Sequence, residues 1–278
     1  MAGFENSSIP DLNPYLSITS LDHIQLNVFT SVLCISVLFG PPTHAYILWL
    51  IVKGRRIASE FLNFNISVCE ICICVSYLTS LLVIRFPELG AFSIFLTGLY
   101  VTGRPLFLCL MCVERYLAVV HPVTFLKFKP LRYRVICCAA VWLMALGSCL
   151  FSMFTIVKYV QVYMCGRLLQ FLLFLSVNLF CCLTVLWALK KPGPGKIGKE
   201  RKERNQMKRR AFYLILIITA TMVIMFVPAI ISGFLFLLLS QDVLIYVYLS
   251  FFCFNLAGFV QPVMYLHQAG KLPFLCWS

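Results

Sequence analysis

Seven apolar stretches, each about long enough to cross a bilayer, fill nearly the whole of this chain. A hydrocarbon core of about 30 Å requires about 20 helical residues, because each adds about 1.5 Å of rise. The spans fall at about 27–52, 61–84, 91–119, 135–157, 168–189, 211–239 and 243–267. Lipid offers no partner to a bare backbone N–H or C=O, so each span has to close its hydrogen bonds on itself as a helix. The runs are too long and too evenly apolar for barrel strands. The expected fold is therefore an all-α membrane protein, a seven-transmembrane helix bundle spanning 27–267 between an arm over 1–26 and a short tail over 268–278. With 61% hydrophobic and 12% charged residues, too little polar surface remains to clothe a soluble globule.

The positive charge orients the bundle. Of the 23 Lys and Arg residues, nearly all fall at alternate connections or on the tail. Lys53, Arg55 and Arg56 follow the first span; Arg115, Lys127, Lys129, Arg132 and Arg134 follow the third; a basic run from Lys190 to Arg210 follows the fifth; Lys271 lies on the tail. The opposite side carries only Arg85, Lys158 and Arg167, and the first 25 residues hold three acids with no Lys or Arg. This predicts an N-terminus outside and a C-terminus inside. The chain opens on no charged segment followed by a short apolar run, so the first span is expected to act as its own signal anchor. Asn6-Ser7-Ser8 is a usable glycosylation sequon on the outer arm, whereas Asn65-Ile66-Ser67 lies within a span. The net charge of +13 faces the anionic inner leaflet, which explains it without nucleic acid. Lys199 to Arg210 reads as a polar helical extension of the sixth span, with calmodulin or phosphoinositide binding as a second reading.

The third span ends in Glu114-Arg115-Tyr116, followed by Pro122. Trp142 lies in the fourth span, Pro228 in the sixth, and Pro262 with Tyr265 form a Pro-x-x-Tyr in the seventh. In these features, over about residues 26 to 275, the chain resembles the rhodopsin-like (class A) G-protein-coupled receptors. The resemblance implies a plasma-membrane receptor that passes an extracellular signal to a heterotrimeric G protein. It implies that Arg115 meets the G protein, that Glu114 restrains it in the resting state, that Pro228 lets the sixth helix bend and that Tyr265 refills the space so opened. A guanidinium at the membrane edge can also simply snorkel to water.

Several positions depart from that family's pattern. His44 stands where an Asn is usual, Glu70 where an Asp is, Phe226 in place of a Trp, Gln261 before Pro262 in place of Asn or Asp, Ser176 for a Pro and Thr184 for a Tyr. Arg104 lies 11 residues before Arg115 on the same helix, about 16 Å deeper and close to the midplane. Glu70 reaches about the same depth, ten residues after Glu60. The family's residues at these places help to hold a sodium ion. Here the expectation is that the Arg104 guanidinium takes the ion's place, pairing with Glu70 and donating to Gln261. The alternative is a watery cavity in which Arg104 has no fixed partner.

The 14 cysteines lie almost entirely within spans, where a thiol acts as a small apolar side chain. Cys69-x-x-Cys72 and Cys109-x-x-Cys112 copy a zinc-ribbon spacing, but within lipid-embedded helices, so no metal is expected. The family's disulfide from the third helix to the second outer loop would use Cys165, yet the matching position on the third span is Gly90, so that bridge is not expected. Four scattered histidines and no paired carboxylates point to no enzyme and no cofactor. The seventh span has no Lys for a retinal Schiff base, and Thr97 stands where amine receptors of the family carry an Asp.

The outer half offers Phe95, Thr97, Tyr100, Phe234, Tyr248 and Phe251, with Arg85, Lys158 and Arg167 toward the rim. An apolar pocket with a basic mouth suits a lipid or an organic acid. The same aromatics also read as packing or lipid-facing residues. Two rivals stand beside the receptor: a decayed or constitutively biased relative that answers no diffusible ligand, and a seven-span transporter or channel using Glu70 and Arg104 as a relay.

Overall fold

A computed structural model describes residues 13–55, 57, 60–83, 85–128, 131–156, 158–190, 199–239 and 244–268. Asn6 and residues 269–278 of the tail lie outside them. The elements are α1 (Asn13–Lys53), α2 (Phe61–Leu82), a single 3-10 turn at Pro87–Leu89, α3 (Gly90–Val120), the short α4 (Pro122–Phe128), α5 (Leu131–Thr155), α6 (Val160–Lys190), α7 (Lys199–Leu239) and α8 (Leu244–Gln268). Among the described residues there is no strand. Seven helices carry stretches long and apolar enough to cross a membrane, at Asn27–Lys53, Phe61–Leu82, Pro87–Val120, Leu131–Thr155, Val160–Ala188, Ile215–Leu238 and Tyr246–Leu266.

Several helices run past their apolar windows. α7 starts at Lys199, well before the window over Ile215–Leu238, because the intervening Lys, Arg, Glu and Gln residues are good helix formers. α6 starts at Val160 rather than near 168, since Val160, Val162, Tyr163, Met164 and Cys165 add about two further turns of mostly apolar helix ahead of Gly166 and Arg167. This puts Cys165 inside a helix rather than in the loop where it was expected, exposed and as a free thiol. Internal prolines sit at Pro41, Pro42, Pro105, Pro228 and Pro262. Pro228 and Pro262 each remove one amide from the backbone ladder, which loosens α7 and α8 locally.

α3 runs through the middle of the bundle and packs against α2, α5, α6 and α7, while the neighbours α1·α2, α1·α8, α7·α8 and α6·α7 close the ring around it. The outward faces are apolar: Leu38, Leu143, Leu169, Leu183 and Trp187 are exposed, as befits helices whose solvent is lipid. Because lipid is as apolar as a leucine side chain, burial of these helices against one another rests on close packing and polar contacts rather than on escape from water. The packed interior divides in two. One cluster, on α3, α6, α7 and α8, holds Leu108, Cys112, Phe171, Met222, Phe226 and Phe254. The other, on α1, α2, α3 and α5, holds Leu33, Ile66, Ile73, Phe107, Ala145 and Cys149. Trp142 ties α5 to α2, donating from Nε1 to Asn65 Oδ1 at 3.1 Å.

Candidate functional site

The structure brings Glu70 and Arg104 together at the seam between the two clusters. Both residues are 3% exposed. Arg104 Nε donates to Glu70 Oε1 at 2.5 Å and Nη2 to Oε2 at 2.6 Å, a side-on bidentate pair. The third nitrogen, Nη1, donates to the backbone carbonyl of Phe254 on α8 and not to Gln261. Gln261, two turns further along α8, has neither its Nε2 nor its Oε1 hydrogen-bonded, and lines a separate cavity of about 20 Å³ with Leu108, Thr221 and Met264. The reason is local: Gly258 leaves room for the guanidinium beside α8, where an added Cβ would stand 2.8 Å from Nη2, so Arg104 reaches the nearer carbonyl first. A single residue thus links α2, α3 and α8. Beside it lies a second cavity of about 20 Å³ lined by Ser36, His44, Glu70, Tyr77, Arg104 and Asn255, space for one water-sized molecule. His44 Nδ1 and the Tyr77 hydroxyl are buried there without partners. Ser36 donates to Asn255 Oδ1 at 3.0 Å and closes the α1 side.

Arg167 is not at the rim. It is 5% exposed and points into the seam between α3, α5 and α6. Its Nη1 donates to Thr102 Oγ1 at 2.9 Å, Ser148 Oγ at 2.7 Å and Gln170 Oε1 at 2.8 Å. Its Nη2 donates to Ser152 Oγ at 2.6 Å and to the Ser148 carbonyl at 3.3 Å. The rings of Tyr163 and Phe151 lie 4.9 and 5.5 Å from its guanidinium carbon. Thr102 and Ser148 share a 2.5 Å hydrogen bond, and the Ser148 hydroxyl also reaches the Gly98 carbonyl at 3.2 Å.

The other residues expected near a ligand separate into groups. Tyr100 and Phe251 meet in an aromatic cluster with Tyr77, Phe29 and Phe254, at centroid distances of 4.6 to 6.2 Å. Tyr248 joins it edge-on to Phe29 at 5.5 Å. Thr97 spends its hydroxyl on the Ser93 carbonyl of its own helix, 3.0 Å away. Arg85 and Lys158 are exposed in turns, and Phe234 is 44% exposed on α7. Phe226 is fully buried and stacks on Phe171 at 5.0 Å.

At the far end of α3, Glu114 is held by Arg134 of α5, Nη2 to Oε1, at 2.6 Å, rather than by the neighbouring Arg115. Arg115 Nε is buried without a hydrogen-bond partner. Tyr116 packs edge-on to His121 at 5.7 Å and against Phe180 at 6.0 Å. Arg134 was visible only as one of several loop cations; α4 turns the chain so that α5 starts beside the end of α3. Ser148, Ser152 and Gln170 drew no notice either. Two serines one turn apart in an otherwise apolar span, with Gln170 three residues after Arg167, were the signal that could have found them.

A seven-helix bundle with Glu-Arg-Tyr closing its third span is similar to the arrangement of the class A G-protein-coupled receptors, and the buried Glu70–Arg104 pair at mid-depth is this chain's departure from it. The curated relatives agree. Human hydroxycarboxylic acid receptor 2 is 25% identical over 291 aligned residues, covering 91% of this chain and 77% of the relative. The rat receptor 2 is 25% identical, covering 88% and 76%, and human hydroxycarboxylic acid receptor 3 is 24% identical, covering 91% and 72%. No protein-family model matches the chain. The chain is a distant homologue of these receptors and, like them, a multi-pass protein of the plasma membrane.

Proposed function

We propose that the chain is a receptor, not an enzyme, that answers an extracellular organic acid by activating a heterotrimeric G protein. In this reading the N-terminal arm with Asn6 is outside, the Arg115 end faces the cytoplasm, and Arg115 is the group the G protein meets. Its relatives are named for hydroxycarboxylic acids, and the basic residues away from the Arg115 end favour an anion over an amine. The observation that carries the coupling role is the state of the Arg115 end: Glu114 is engaged by Arg134, and Arg115 keeps an unused buried donor. A guanidinium without its restraining carboxylate lowers the cost of the signalling state, because a receptor's two states differ by only a few kcal/mol. Pro228 and Pro262 supply the hinges in α7 and α8, with Tyr265 moving into the opened space.

The expected result is a basal G-protein signal without ligand. It should fall to background in Arg115→Ala and drop several-fold in Arg134→Ala, which releases Glu114 toward Arg115. Activation of a panel of Gα subtypes at matched surface expression reads this out. A signal unchanged by Arg115→Ala would remove the coupling role. A transporter has less support, since the bidentate closure of Glu70 on Arg104 leaves neither group free to relay a charge.

A further inference from the structure

Among the described residues two guanidiniums are buried deep in this bundle, and only one has a carboxylate. Among the described residues the ion pairs are Arg104 with Glu70 and Arg134 with Glu114; Arg167, equally buried, has none. A charge inside a membrane protein is costly and marks a functional site unless a partner neutralises it. Neutral dipoles satisfy much of Arg167's hydrogen bonding but leave its charge uncompensated.

We propose that Arg167 anchors the carboxylate of an organic acid, which supplies the missing countercharge. This rests on the reading of the chain as an organic-acid receptor and adds where the acid binds. The molecule itself shows which edge is used. Arg104 takes Glu70 through Nε and Nη2, the side-on face of the guanidinium. On Arg167 the same edge is unfinished: Nε is buried with no partner, and Nη2 is held only by the Ser152 hydroxyl and, at 3.3 Å, by the Ser148 carbonyl. The back of the group is fixed by Thr102, Ser148 and Gln170 on Nη1, so the fork is held in one orientation. Ser152 can turn its hydroxyl hydrogen from the Ser148 carbonyl, 2.9 Å away, toward an arriving carboxylate. Tyr163 and Phe151 flank the guanidinium as apolar walls. Arg167 lies seven residues, about 10 Å, inside the start of α6 at Val160, so the acid's carbon chain extends toward the end of the bundle opposite Arg115. The site is closed as it stands, and binding requires the α5–α6 seam to open at Phe151 and Tyr163.

The test is thermal stabilisation of the purified, detergent-solubilised full chain by a panel of short and medium-chain 2- and 3-hydroxy monocarboxylates, with their methyl esters as uncharged controls. Wild type should be stabilised by acids and not by esters. Arg167→Lys, which keeps the charge and loses the fork, should weaken the best acid by about tenfold or more. Ser152→Asp places a built-in carboxylate where the hydroxyl now meets Nη2; it should raise the melting temperature without acid and abolish the response to acid. This second variant keeps the test open if Arg167→Lys does not fold, and a purely structural Arg167 would not produce its loss of acid response. Acid affinity unchanged in Ser152→Asp, or in a folded Arg167→Lys, would overturn the anchor while leaving an acid receptor. Failure of every acid to stabilise wild type would overturn the organic-acid reading and the anchor with it.

Discussion

Glu70→Ala and Arg104→Ala should each abolish surface expression, and Glu70→Leu/Arg104→Met should restore much of it. Removing one partner of a buried pair strands the other charge, at a cost of about 3–5 kcal/mol, whereas replacing both with apolar groups of similar size is often neutral. The pair here is buried and bidentate, at 2.5 and 2.6 Å, and Arg104 also spans to α8 through the Phe254 carbonyl. Loss of Glu70 therefore leaves a cation between the two packed clusters, at the point where α2, α3 and α8 are joined. Surface labelling and the melting temperature of solubilised protein measure the effect. A double variant no better than the singles would show that neutralising charge is not what the pair contributes.

Gly98→Ala should destabilise the protein by more than about 3 kcal/mol, at or above the upper end of ordinary overpacking, while Gly90→Ala should be close to neutral. A Cβ on Gly98 would run into the backbone of Ser148 and Cys149, and backbone cannot turn aside as a side chain can. Relief comes only by separating α3 from α5. That separation breaks the Thr102–Ser148 hydrogen bond and the bond from Ser148 to the Gly98 carbonyl, and with them the support of Arg167. Small residues at such a crossing matter more in lipid than in water, because close backbone approach is a main source of helix association there. A Cβ on Gly90, at the first turn of α3, meets nothing within 4 Å. Melting temperatures of the two purified variants test the contrast; equal values would mean that the α3–α5 crossing yields more easily than its backbone contact implies.

The seven helices were legible in the chain because the bilayer removes every alternative: about 20 apolar residues in lipid have to be helical. The common depth of Glu70 and Arg104 was legible for a related reason, since helical rise is nearly constant and counting residues measures depth. The direction of a side chain around a helix was not legible. α6 is apolar on nearly all sides, so nothing in its pattern says which face is buried, and Arg167 read as a rim residue when it points inward. For the same reason Gln261 was paired with an arginine that instead meets the Phe254 carbonyl.

Sequence by itself determined the number of membrane-spanning helices and the charged residues that have to be matched at mid-depth, because these follow from length, hydropathy and rise. Only the tertiary structure decided who matches whom: Glu114 with Arg134 rather than Arg115, Arg104 with Glu70 and the α8 backbone, and Arg167 with hydroxyls and an amide but no acid. Pairing across helices depends on their rotation and close approach, which small residues such as Gly98 and Gly258 permit and which no one-dimensional pattern of apolar residues encodes.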